Sequence, residues 1–216
     1  MQRGRFITIE GGEGVGKSTQ IAVVREALTQ AGFDVVLTRE PGGTARAERI
    51  RDLLLQPTDE PMPQICELLL MFAARATHIE NVILPALARG AWIVCDRFTD
   101  ATYAYQGGGR NLPREHIAQL EQLVQGSLRP DLTVLLDAPI ELALARARER
   151  NAQLGNAAGD RFEREQTAFF ERVRAVYLQI ARDEPQRMRV IDASRSLAQV
   201  QAAVRECIVQ FVEQCR

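Results

Sequence analysis

The chain has 216 residues, 46% of them hydrophobic, which is enough to bury one good core and predicts a single domain over residues 1–216. Its 27 basic and 28 acidic side chains nearly cancel, which excludes a global field that would draw in nucleic acid or an anionic membrane, so any anion must be held locally. The first six residues are polar and basic, and no apolar run approaches the roughly 20 residues of a membrane span, so a cytoplasmic protein without a membrane partner is expected.

In chain order, residues 5–10 (Arg-Phe-Ile-Thr-Ile-Glu) read as a buried strand that ends in a glycine-rich turn. A helix follows over 17–31, with Ile21, Val24 and Leu28 at three- and four-residue steps and Gly32 as its stop. A strand over 33–38 runs into Arg-Glu-Pro-Gly-Gly-Thr, a loop signal, and then a helix over about 45–55. Pro57, Pro61 and Pro63 punctuate a connector before a long helix over 64–89, apolar on a wide face, which Pro85 should kink or end.

Residues 91–96 form a further apolar strand, followed by a polar loop that reaches the glycines at 107–109. Helices over 113–124 and 140–150 flank a fourth strand at 132–137, and 151–160 reads as a flexible segment. A helix over about 162–182, a short strand at 189–191 and an amphipathic helix over 197–213 complete the chain. Strands alternating with helices imply a five-stranded parallel sheet covered on both faces, with ligands at the carboxyl ends of its strands. Cys66, Cys95, Cys207 and Cys215 form no Cys-x-x-Cys pair and read as reduced packing residues.

Gly11-Gly-Glu-Gly-Val-Gly-Lys-Ser18 carries the clearest chemistry. Glycines 11, 12, 14 and 16 let backbone N–H groups turn inward as an anion nest, and the helix that follows points its positive end at phosphates. This is a P-loop, so a nucleoside triphosphate with magnesium is the expected ligand: Lys17 reaches the β- and γ-phosphates and the Ser18 hydroxyl ligates the metal. Lys17 is the chain's only lysine among 27 cationic side chains. A coding bias toward arginine explains the other 26 but not the position of the exception, where a compact ammonium fits and a planar guanidinium does not. A GTPase is disfavoured, because the chain has neither an Asn-Lys-x-Asp nor an Asp-x-x-Gly sequence.

Six stretches carry a further signal: 6–19 around the P-loop, Thr38-Arg-Glu-Pro-Gly-Gly-Thr44, Leu70-Met-Phe-Ala-Ala-Arg75, Asp96-Arg-Phe98, Ala104-Tyr-Gln-Gly-Gly-Gly-Arg110, and Arg129-Pro-Asp-Leu-Thr-Val-Leu-Leu-Asp137. Together they resemble one family, the bacterial thymidylate kinases within the P-loop nucleoside monophosphate kinases. The resemblance spans the sequence, and no extra domain is expected. It implies a three-layer P-loop fold with a mobile lid at about 146–161, transfer of the ATP γ-phosphoryl group to dTMP to give dTDP for dTTP synthesis, and a homodimer.

The resemblance also implies roles. ATP would lie against Gly11, Gly12, Glu13, Gly14, Val15, Gly16, Lys17, Ser18 and Thr19, with Arg146 against adenine. Arg39 and Arg97, each after a strand end, would hold the acceptor phosphate; the competing reading is a surface ion pair with Glu40 or Asp100. Phe72 would stack on thymine and Arg75 would bond a ring carbonyl, although pattern alone makes Phe72 a core residue. Thr102 and Gln106 would complete recognition of the base edge, and Tyr105 would pack against the deoxyribose and disfavour a 2′-hydroxyl. Glu13, odd beside phosphates, would contact the sugar 3′-hydroxyl. Lys17, Arg97 and Glu13 would then serve catalysis together with a lid arginine, for which Arg150 is favoured over Arg146, Arg148 and Arg161; the competing reading is a solvated helix face paired with Glu149 and Glu163. Glu10 and Asp96 are acidic candidates for magnesium beside Ser18. His78 and His116 have no identifiable partner and read as packing or surface residues.

Overall fold

The computed structural model describes residues 3–56, 58–153, 161–163 and 165–215. All five apolar runs are strands: β1 (Phe6–Glu10), β2 (Val35–Arg39), β3 (Trp92–Asp96), β4 (Leu132–Asp137) and β5 (Met188–Asp192). Every pairing is parallel, in the order β2-β3-β1-β4-β5. Parallel neighbours need long crossovers, which the helices supply, and those helices cover both faces; β1 is accordingly buried at every position, whereas edge strands β2 and β5 are not.

Alternation divides the core. Ile7, Ile9, Val94 and Val134 face one side with Val24 and Leu28 of α1 (Lys17–Gln30) and Val204 and Ile208 of α9 (Leu197–Gln214). Phe6, Ile93 and Cys95 face the other with Ile83, Leu87 and Phe98. β1 sits between β3 and β4, the neighbours the chain reaches in opposite directions, so the crevice of the sheet opens at the carboxyl end of β1. The four cysteines carry free thiols. No helix among the described residues is long and apolar enough to cross a membrane.

Two segments depart from the sequence expectation. The long helix over 64–89 is α3 (Gln64–His78), a π-helical turn (Ile79–Ile83) and α4 (Leu84–Ala88). The wider turn comes just before Pro85, where the α-helical bonding that the proline's ring and missing N–H would disturb is already interrupted, and the helix ends three residues later at Ala88.

The polar loop after β3 is also helical, as α5 (Thr99–Thr102) and a second π-helical stretch, Tyr103–Gly109. Here the glycines serve close approach to α8 (Thr167–Asp183) rather than breaking the chain. A Cβ on Gly109 would lie 2.4 Å from Phe169 Cε2, and one on Gly108 would lie 2.6 Å from Val176 Cγ2. Arg172 seals this contact by donating to the Gly108 and Gly109 carbonyls at 3.1 and 2.7 Å.

The remaining helices are α2 (Ala45–Leu55), α6 (Arg114–Gln125) and α7 (Ile140–Gln153). The helix expected from residue 162 starts at Thr167, and Phe162 lies in a turn before it. Much of the segment read as a flexible lid, including residues 154–160, and Pro57 lie outside the described residues.

Candidate active site

The P-loop joins β1 to α1 in a path that only glycine accepts at two points. Gly14 (φ 72°) presses on α7, where a Cβ would meet the Ala143 carbonyl oxygen at 1.8 Å, and Gly11 (φ 136°) presses on β4, where the Leu136 carbonyl oxygen would be 2.4 Å away. Val15 is tucked into the core beneath. Because α1 begins at Lys17, its unpaired first-turn N–H groups face the crevice. Lys17 Nζ bends back to donate to the Gly12 and Gly11 carbonyls at 2.7 and 3.2 Å. Burial, with Arg97 close by, brings its ammonium down to about 8.

Above the loop lies a cavity of about 350 Å³. Its charged lining comprises seven cations, Lys17, Arg39, Arg51, Arg75, Arg97, Arg146 and Arg150, against Glu13, Glu40 and Asp96. A chain of net charge −1 thus gathers a local excess of positive charge, which is what two phosphorylated ligands would need. Gly14, Gly16, Ser18 and Thr19 line it too, while Gly11, Gly12 and Val15 do not.

Arg97, held at φ 67°, carries the centre of the site: it donates to the Gly11 carbonyl at 2.9 Å and to Tyr105 Oη at 3.0 Å, and pairs with Glu13. Burial would raise the Glu13 carboxyl, but Arg97 and Lys17 outweigh it and hold it at about 2. Arg39 pairs with Glu48 at 2.8 Å, at the rim, rather than with Glu40 or Asp100; Asp100 is taken by Arg187 at 2.7 Å. Sequence reasoning missed Arg51, which lines the cavity from α2 and donates to the Pro41 carbonyl at 2.9 Å. Burial and then the neighbouring Arg39 lower its pKa, the sign of cations held together. No spacing separates it from Arg46 and Arg49 on the same helix.

The far wall is a buried relay. Arg75 donates through Nε to Glu40 at 2.7 Å and through Nη2 to Thr102 at 2.9 Å, while Nη1 is buried without a partner among the described residues. Glu40 is bonded at 2.8 Å to His78 Nδ1, and His78 Nε2 to Thr38 at 2.6 Å. His78 is thus fully buried and partnered, which the sequence did not reveal because its partners lie 38 and 40 residues away. Phe72 does not line the cavity; it packs with Leu68 and Ile117, and Arg75 rests over its ring at 4.7 Å. The Arg75 guanidinium also lies 5.1 Å from the Phe98 ring, which does line the cavity. Gln106 and Tyr105 complete this wall.

The two acidic metal candidates separate. Asp96 lines the cavity with Ser18, and its Oδ1 is buried without a partner among the described residues, so this pair fits a magnesium ion. No cluster of three potential metal ligands occurs among the described residues. Glu10 is fully buried and outside the cavity; Phe98 N–H and Tyr177 Oη each donate to it at 2.7 Å, and burial, reinforced by Asp100, pushes its carboxyl up to about 8. That carboxyl is a strut between β1, β3 and α8 and has no oxygen turned to the cavity.

Of the four arginines weighed for catalysis, Arg146 donates to the Ala193 carbonyl at 2.6 Å, and Arg150 pairs with Glu163 while still lining the cavity. Arg148 is exposed, and Arg161 turns away to Glu67.

Comparison with known proteins identifies the family. The family model described as Thymidylate kinase matches residues 9–204. The chain is 59% identical over 213 residues to a thymidylate kinase of Ectopseudomonas mendocina, covering 99% of both, and 60% identical over 205 residues to one of Chromohalobacter salexigens, covering 94% of both. A crystal structure of thymidylate kinase from Ehrlichia chaffeensis superposes with a TM-score of 0.73 at 31% identity, over 98% of this chain and 99% of that one. On sequence, fold and site together, the chain belongs to the thymidylate kinase family.

Proposed function

We propose that the chain transfers the γ-phosphoryl group of ATP to dTMP, forming dTDP and ADP, as a single-domain cytoplasmic homodimer that supplies dTTP synthesis. The observation that carries this reading is one cavity with a P-loop at one end, an unmade donor on Arg75 at the other, and Arg39, Arg51 and Arg97 along its length. The P-loop glycines, Lys17 and Thr19 would hold the donor phosphates, with Arg146 against adenine, and Arg97, Arg39 and Arg51 would hold the acceptor phosphate. Glu13, now on Arg97 and Tyr105, is within the same cluster as the loop and would also accept from the sugar 3′-hydroxyl. Tyr105 would pack on the deoxyribose, with Thr102, Gln106, Arg75 and Phe72 serving the base.

The acceptor is a phosphate dianion, itself the nucleophile, so the residues need only orient the two phosphates in line and neutralise charge as it shifts. Arg150 would leave Glu163 and swing onto the transferring group. Ser18 and Asp96 would hold magnesium, which supplies charge neutralisation at the donor phosphates.

A monophosphate panel with ATP and coupled ADP detection tests the reading. ADP release that depends on dTMP is expected; equal rates with AMP or CMP would point to another monophosphate kinase, and release that requires a protein partner would point to a nucleotide-dependent binding module. Apolar side chains left exposed on α2, α3 and α6 support the homodimer.

A further inference from the structure

One buried acid outside the cavity lining collects three polar side chains from two distant parts of the chain. Glu67, in the first turn of α3, is fully buried. It accepts from Gln106 Nε2 at 2.8 Å and from Arg161 Nη2 at 2.6 Å, and Arg110 Nε lies 3.3 Å from both its oxygens. Arg161 is itself tied to the end of α2, its Nε donating to the Leu54 carbonyl at 2.9 Å and its backbone N–H to that of Leu55 at 3.2 Å.

A side-chain amide has a donor end and an acceptor end, whereas a carboxylate offers only acceptor lone pairs. Turning the Gln106 amide round would set its oxygen against a carboxylate oxygen, so its NH₂ stays on Glu67. That leaves the Gln106 oxygen for the cavity, which the residue lines, and none of the described residues donates to it. On the same wall, Arg75 presents the N–H of Nη1, also without a partner among the described residues. The wall therefore offers one fixed donor and one fixed acceptor. A pyrimidine edge with a carbonyl beside a ring N–H, as in thymine or uracil, complements that pair. Cytosine, with an amino group beside a bare ring nitrogen, presents the reverse.

We infer that Glu67 sets the sense of this readout: by holding the Gln106 amide one way round it makes the cavity select thymine-type edges over cytosine. It is a positioning residue that acts through Gln106, and the inference rests on the dTMP kinase reading above. The Arg110 and Arg161 guanidiniums compensate its charge and fix it in place.

The test compares kcat and KM for dTMP and for dCMP, with ATP, in the unaltered protein, Glu67→Gln, Gln106→Ala and the double variant. A glutamine at 67 can offer either an oxygen or an NH₂, which frees the Gln106 amide to turn. The ratio of kcat/KM for dTMP over dCMP should fall about tenfold or more in Glu67→Gln, through KM for dTMP, with KM for ATP within about twofold. Added to Gln106→Ala, the same change should cost little more. Equal losses for both monophosphates, or an undiminished loss in the Gln106→Ala background, would overturn the inference in favour of a structural ion pair. If Glu67→Gln does not fold, hydrogen exchange of the Gln106 side-chain amide in the unaltered protein decides: protection supports the inference, and exchange at the rate of an exposed amide sinks it. An unaltered protein with no dTMP-dependent ADP release would sink the kinase reading instead, and the amide measurement would then decide the orientation alone.

Discussion

Lys17 is the residue at which shape and charge can be separated. Its ammonium sits between two loop carbonyls, 2.7 and 3.2 Å away, in space bounded by the loop backbone itself. A guanidinium keeps the charge but is broader and planar, so Lys17→Arg should lower kcat by roughly 10²-fold or more, as expected for loss of a transition-state contact, with the protein still folded. Near-normal turnover would show that charge alone suffices. Glu10 makes a prediction of a different kind. Its carboxyl titrates at about 8 when folded, against about 4.3 in the unfolded chain, so between these values the native protein holds a proton that the unfolded one has lost. Stability from this group is therefore complete below about pH 4 and declines as pH rises through about 8. Glu10→Gln has no proton to lose; urea denaturation should show it gaining on the unaltered protein from pH 5 to pH 8, and a constant difference would mean that Glu10 ionises normally in the fold.

At the scale of elements, the π-helical stretch against α8 is the least forgiving contact. Gly109→Ala would drive a methyl to within 2.4 Å of the buried Phe169 ring, and overpacking of this kind costs about 1–3 kcal/mol. Gly107→Ala, whose methyl would meet only the end of Ile117 at 3.2 Å, should cost less, and denaturation midpoints of the two variants check the order. Arg150→Ala should reduce turnover by roughly 10³-fold if this lid arginine stabilises the transferring group; a tenfold loss would shift the role to another arginine. What could be read in advance divides along the same line. The strands were legible because both-face burial writes continuous apolar runs such as Trp92-Ile-Val-Cys, and the P-loop because its chemistry is local. The Gly107–Gly109 stretch was misread because three glycines look like a break when only the chain is seen; the partner that needs them, Phe169, lies 60 residues on. Pro85, expected to kink or end its helix, is met by a π-turn just upstream and a helix end at Ala88. The Arg75-Glu40-His78-Thr38 relay and the Glu67 cluster were invisible because each bond spans tens of residues, and no periodicity marks one buried acid among many charged positions. Glu10 was assigned to metal by its place at a strand end, whereas Phe98 and Tyr177 had already claimed both its oxygens.

Over the whole molecule, charge is near-neutral on balance but unevenly placed. The charges of the chain nearly cancel, whereas the cavity where two phosphorylated ligands would meet is lined by seven cations against three carboxylates. The apolar surface is equally uneven. Leu53, Ile65, Leu69 and Leu123 stand exposed on α2, α3 and α6, which pack side by side. If a second copy covers them, Leu69→Glu should convert a dimer to a monomer in sedimentation equilibrium, and an unaltered protein that already sediments as a monomer would remove the basis for it. The arginine-rich composition has a further, practical outcome. Apart from the α-amino group, this molecule carries one aliphatic amine, Lys17, and its burial beside Arg97 leaves much of it uncharged in mildly alkaline solution. Reductive methylation, which is selective for amines, therefore has a single side-chain target, inside the nucleotide cradle, and the extent of its reaction reports directly on how full that cradle is.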